Sequence, residues 1–185
     1  MANWNFCCYK CVGDSKEIEE LYSIIKKCDN ERENKNFYDY DEVIESIGLS
    51  PKDFESCGEI SDYEMEDGVL EIYHRARYGA HYGFKDAIEK RFPSIKVYYR
   101  YYEYMMEFYR TNSLTYFPIR YIRWDSEYGS DGWTNLAEAA TACEDIVGYK
   151  VEPTVDAISK AYAEHNKREG TELLYTFKEI IEEDD

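Results

Sequence analysis

The chain has 185 residues, with 39 acidic and 22 basic side chains for a net charge of −17, and it is 44% hydrophobic and 17% aromatic. That apolar content supports one folded domain plus an appendage and excludes a disordered acidic tail protein. Four prolines and ten glycines exclude low-complexity classes, and no apolar run approaches the ~20 residues of a membrane-spanning helix.

Residues 4–12, rich in Phe, Tyr, Cys and Val, predict a first strand that Gly13-Asp14 ends. Asp14 and Glu17 form a capping-box pattern, and Ile18, Leu21, Tyr22, Ile25 and Cys28 follow at helical spacing. Residues 29–36 are polar and read as an exposed loop. Residues 37–67 read as irregular. They hold a short helix over 41–47 closed by Gly48, a helix start at Ser50-Pro51, and an uneven acidic stretch over 55–67 before an Asp67-Gly68 turn.

Residues 69–77 alternate as a strand, with Leu70, Ile72, His74 and Ala76 on one side and Glu71, Tyr73, Arg75 and Arg77 on the other. A helix over 81–92 uses Phe84, Ala87, Ile88 and Phe92 and stops at Pro93. A strand over 95–106 sets Ile95, Val97, Tyr99 and Tyr101 against Lys96, Tyr98, Arg100, Tyr102 and Tyr104. Residues 107–112 suit a short strand or hairpin arm, and 116–124 a strand with Phe117, Ile119 and Tyr121 inward. The last third reads as helical. Thr134 or Asn135 caps a helix ending at Gly148, and Pro153 opens another on Val155, Ile158, Ala161 and Tyr162. After Gly170, Thr171 starts a final helix through Leu174, Phe177, Ile180 and Ile181, and the acidic tail over 182–185 frays.

This order predicts an α+β chain with a ferredoxin-like, split βαβ antiparallel sheet over residues 1–124. An irregular insertion over about 29–68 interrupts it, and a helical extension over 125–185 packs on or beside the sheet. The opening Met1-Ala2-Asn3-Trp4 leads into a first strand ending at Gly13 and an acidic helix. From Leu70 to Tyr102 come a strand, a short polar turn, a helix ending in Phe92-Pro93 and a Tyr-rich strand. These features resemble the YubB-type ferredoxin-like family of bacterial mobile-element and phage proteins. The resemblance spans about residues 1–124. It implies a fold and a mobile-element setting, and brings no catalytic residue or reaction with it.

Charge falls in three blocks. Residues 1–68 carry a net −11, residues 69–124 a net +5 with 11 of the 20 tyrosines, and residues 125–185 a net −11. The acidic arms suggest a non-catalytic interaction protein whose carboxylates imitate a phosphate backbone. Such a protein would inhibit a basic, nucleic-acid-handling bacterial protein such as a defence nuclease. Its contact residues would be Glu17, Glu19, Glu20, Glu64, Glu66, Asp67, Glu179, Glu182 and Glu183. The alternative is a single-stranded nucleic acid or nucleotide platform on Tyr73, Arg75, Arg77, Tyr98, Arg100, Tyr102 and Arg120. In the structural counterpart of that alternative, the acidic C-terminal helices cover this face and neutralise its arginines. An open sheet face can also pair two copies of the chain.

Cys8-Tyr9-Lys10-Cys11 is a C-x-x-C with no second pair to complete four zinc ligands, and residues 8 and 11 of one strand face opposite sides. No metal or cofactor is expected, and His74 reads as a core histidine. No carboxylate pair, nucleophile elbow or phosphate loop points to an enzyme. With no basic leader before an apolar stretch, the expected location is the cytoplasm, with all six cysteines as free thiols.

Overall fold

The computed structural model describes residues 4–30, 38–77, 81–103, 107–125, 129–170 and 175–183. The chain is α+β and divides into two compact units, Met1–Glu103 and Tyr104–Asp185. The division therefore falls before the expected boundary at residue 124.

The first unit runs β1 (Trp4–Val12), α1 (Ser15–Asn30), β2 (Tyr38–Asp39), α2 (Tyr40–Ser46), a 3-10 turn (Pro51–Asp53), β3 (Gly58–Glu66), β4 (Val69–Arg77), α3 (His81–Arg91) and β5 (Lys96–Glu103). Its strands lie in the order β2-β3-β4-β1-β5, and each neighbouring pair is antiparallel. One side of the sheet carries Tyr9, Cys11, Leu70, Ile72, His74, Ala76, Val97 and Tyr99, all buried. The apolar stripes of the helices are buried too: Ile18, Leu21 and Ile25 of α1, Val43 and Ile44 of α2, and Phe84, Ala87 and Ile88 of α3. These are the phases the sequence predicts for β4, α1, α3 and β5.

Only half of the capping box forms. Asp14 accepts from the Lys16 amide at 2.9 Å. The Glu17 carboxylate turns instead to Ser94, accepting from its amide at 3.0 Å and its hydroxyl at 2.7 Å. The Ser94 hydroxyl in turn accepts from the Asp14 amide at 3.0 Å, so the start of α1 is tied to the turn before β5. Gly13 permits this approach, because a Cβ there would sit 2.5 Å from the Ser94 carbonyl oxygen.

The stretch expected to be irregular is largely ordered. It holds α2 and all of β3, and Ser50-Pro51 starts only the 3-10 turn. The β3 strand escaped its pattern because a bulge between Ile60 and Asp62 breaks the two-residue alternation. Ile60, Tyr63 and Met65 therefore share a side although they are three and then two residues apart. Residues 31–37, most of the predicted polar loop, lie outside the described residues. Asp67 at φ 49° and Gly68 at φ 79° make the predicted two-residue turn between β3 and β4.

The second unit contains β6 (Phe108–Thr111), β7 (Tyr121–Asp125), β8 (Gly129–Trp133), α4 (Leu136–Val147), α5 (Val155–Arg168) and β9 (Tyr175–Glu179). An antiparallel sheet, ordered β8-β7-β9, packs against the two helices. Asn135 caps α4 by accepting from the Glu138 amide at 3.0 Å, and Gly148 closes it at φ 84°. Thr154 caps α5, so Pro153 stands just before the cap.

The expected all-helical extension is corrected here. No final helix runs through Phe177 and Ile180, because residues 175–179 are a strand paired with β7. Spacings of three and four residues suit a helix, but Tyr-Thr-Phe also suits a strand, and the edge of β7 decides. Residues 171–174, including Thr171 and Leu174, lie outside the described residues. The predicted 116–124 strand is also shifted. Tyr121 stacks on Phe177 at 6.1 Å on the helix side, while Ile122 and Trp124 are buried on the opposite face. Arg123 shares the helix side, with its guanidinium over Tyr175 at 5.0 Å and Trp133 at 5.9 Å and an ion pair to Asp131.

Candidate interaction surfaces

The sheet of the first unit has a second side, built in cross-strand rows. The register of β3, β4, β1 and β5 gives Glu59-Arg75-Phe6-Tyr102, then Asp62-Tyr73-Cys8-Arg100, then Glu64-Glu71-Lys10-Tyr98. Arg77 follows at the end of β4, opposite Trp4. The predicted Tyr73, Arg75, Arg77, Tyr98, Arg100 and Tyr102 thus share one face. Arg120 belongs to the second unit, where its backbone binds Trp133 and Ile180.

This face is not a bare cationic platform. Arg75 is paired with Glu59, and Lys10 with Glu71 at 2.7 Å. The Tyr73 hydroxyl lies 2.8 Å from a Glu64 oxygen and 2.9 Å from a Glu71 oxygen. Burial, then these two carboxylates, push the Tyr73 phenol well above its usual range. The Trp4 ring is flanked by the guanidinium groups of Arg77 at 4.5 Å and Arg75 at 4.7 Å. Phe6, 43% exposed, stacks on Tyr102 at 5.6 Å. The carboxylates named here come from β3 and β4. Sequence reading had Glu71 on this side of β4 and Glu64 among the acidic contacts, but missed Glu59 opposite Arg75 because it missed β3. Trp4 and Phe6 escaped it because the face was built only from later strands.

The predicted acidic residues separate into two groups. Glu17 holds Ser94, Glu20 pairs with Arg91 at 2.7 Å, and Glu64 accepts from Tyr73. In the second unit, Glu182 accepts from the Leu114 amide at 3.0 Å, and Glu183 lies 3.5 Å from Arg110. The 182–183 part of the tail is therefore tied down, against the expectation that it frays. Glu19, Glu66, Asp67 and Glu179 are exposed and enter no ion pair among the described residues. The pairings Cys11 to Leu70 and Val12 to Lys96 put the β3–β4 turn and the start of α1 at the same end of the sheet. Glu19, Glu66 and Asp67 therefore belong to one acidic end of the first unit.

Cys8 lies on the Tyr/Arg side and Cys11 on the helix side. Among the described residues, no group of three His, Cys, Asp or Glu is arranged to hold a metal ion. His74 is buried, with Nδ1 against the Tyr40 hydroxyl. Burial raises the Cys8 thiol from 9.0 to about 11, even though Arg100 pulls it down. Cys7 and Cys11 are pushed further up by burial. Five thiols are buried and Cys57 is exposed. At pH 8 a thiol reagent is expected to label Cys57 rapidly and the other five only after unfolding, as peptide mapping would show. Rapid labelling of Cys8 would contradict this placement. The linkage has a defined sign. A raised thiol contributes stability that is complete below its unfolded value near 9.0 and is lost as pH climbs through about 11.

No family model and no curated protein matches the chain. A search of solved structures finds similarity to the crystal structure of an unknown protein from Galdieria sulphuraria. The identity is 11% and the TM-score 0.24, covering 97% of this chain and 99% of that one, a level that carries no argument about fold or function. Among the described residues, no helix is long and apolar enough to cross a membrane.

Proposed function

We propose that this chain is a non-catalytic, acidic interaction protein of a phage or mobile element. In this reading it acts in the cytoplasm and inhibits a basic nucleic-acid-handling bacterial protein by offering carboxylates where that protein binds phosphates. The observation that carries the reading is the acidic end of the first unit, where Glu19, Glu66 and Asp67 stand exposed. Both units are acidic overall, with 22 acids and 14 bases in residues 1–103 and 17 acids and 8 bases in residues 104–185. Such a field favours basic partners and repels nucleic acid.

We read the first unit as ferredoxin-like. With β2, α2 and the 3-10 turn set aside, it follows strand-helix-strand-strand-helix-strand, and its order β3-β4-β1-β5 places the first strand between the third and the last. The nucleic-acid platform is the second reading. It rests on one corner of the sheet, where Arg77 and Arg75 flank Trp4 and Phe6 stacks on Tyr102. The ion pairs of Arg75 and Lys10 weigh against it.

Charge reversal tests the first reading. Replacing Glu19, Glu66 and Asp67 together by lysine is expected to weaken binding to the basic partner by roughly a hundredfold or more, because opposed charges become like charges. Calorimetric titration of a captured partner measures this. Unchanged affinity in a folded variant would remove the acidic end from the interaction.

A further inference from the structure

The segment after β9 is held as a short strap. The Ile180 amide donates to the Arg120 carbonyl at 2.7 Å, and the Glu183 amide to the Thr111 carbonyl at 2.8 Å. Thr111, the last residue of β6, and Glu182 form a single parallel bridge. Two carboxylates add further ties, Glu182 on the Leu114 amide and Glu183 on Arg110. Behind the strap lies a cavity of about 230 Å³ lined by Phe108, Ile122, Trp124 and Ile180, with Ile181 also at its wall and 75% exposed.

The geometry points to a latch: residues 180–183 open as a unit while β7, β8 and β9 stay paired. Each β7 residue pairs with strands on both sides, whereas among the described residues the strap's ladder pairing is a single bridge, beside the buried side chain of Ile180. Segments so held open locally at a fraction of the cost of global unfolding. Closed, the latch keeps Glu182 and Glu183 on the protein's own Leu114 amide and Arg110. Open, it presents both carboxylates and uncovers the Trp124 side of the sheet. This last consequence rests on the proposed interaction function, because opening frees these two acids from the Leu114 amide and Arg110 for a basic partner. The latch itself does not depend on that reading.

Native-state hydrogen exchange, read by amide, tests the latch without any partner. In the wild-type protein, the Leu114 and Glu183 amides are expected to exchange together, at least about a hundredfold faster than the Arg123 amide of β7. The E182Q/E183Q variant keeps the shape and removes the charges. It is expected to speed Leu114 and Glu183 by a further roughly tenfold while leaving Arg123 unmoved. Exchange of Leu114 and Glu183 at the Arg123 rate would overturn the latch, because the strap would then open only with the whole unit. Equal acceleration at all three positions in E182Q/E183Q would overturn it as well. An arginine-rich peptide added to the wild-type protein tests the coupling separately. If it binds and speeds Leu114 exchange, the acids are shared between latch and partner. If it binds without moving Leu114, the coupling fails and the latch stands on the first two measurements.

Discussion

Replacing Gly58 by alanine is expected to cost the first unit about 1–3 kcal/mol or more. Gly58 opens β3 beneath the ring of Tyr40. A Cβ there would lie 2.4 Å from two atoms of that ring and 2.5 Å from the Arg75 carbonyl oxygen. Neither neighbour gives way easily. The Arg75 oxygen is backbone of the paired strand β4. Tyr40 is fully buried, stacked on Phe84 at 4.4 Å and 6°, with its hydroxyl on His74. Relief requires lifting α2 from the sheet or parting β3 from β4, which would also separate Glu59 from Arg75. Urea unfolding followed by circular dichroism measures the loss. A midpoint equal to that of the wild type would contradict this packing.

Phe84→Ala is expected to cost about 3–5 kcal/mol, the range for deleting a buried aromatic ring. Phe84 is fully buried and joins α3 to the two tyrosines of the core, stacking on Tyr40 and, at 5.8 Å, on Tyr9. The cavity cannot be filled by a simple shift, because Tyr40 is anchored on His74. Phe6→Ala serves as the control, since Phe6 is 43% exposed on the other side of the sheet. Equal losses from the two substitutions would mean that the two sides of the sheet have been misassigned.

These two positions also show how far the sequence could be read. Phe84 is legible: it sits with Ala87 and Ile88 on one helical stripe, and burial of that stripe is what makes α3 a helix. The alternation of β4 is equally plain, because one side is apolar and the other is charged or aromatic. Gly58 is not legible. Its meaning comes from Tyr40, 18 positions earlier, and from β3, whose bulge hides the strand. Missing β3 meant missing Glu59, so the arginines of β4 seemed to need acids from the far end of the chain. The C-terminal part fails for a different reason. The spacing around Phe177 fits helix and strand alike, and only pairing with β7, some 50 residues earlier, chooses between them. The ties of Glu182 to Leu114 and of Glu183 to Arg110 depend on the same long-range closure.

The most direct test of the interaction account is capture from bacterial lysate on the immobilised wild-type chain, with and without nuclease treatment. The account predicts a basic, nucleic-acid-handling protein that is retained after nuclease treatment and released by high salt, as expected of contacts carried by exposed carboxylates. Recovery of nucleic acid itself, lost on nuclease treatment, would contradict the account and assign function to the Trp4, Phe6 and Arg77 corner of the sheet.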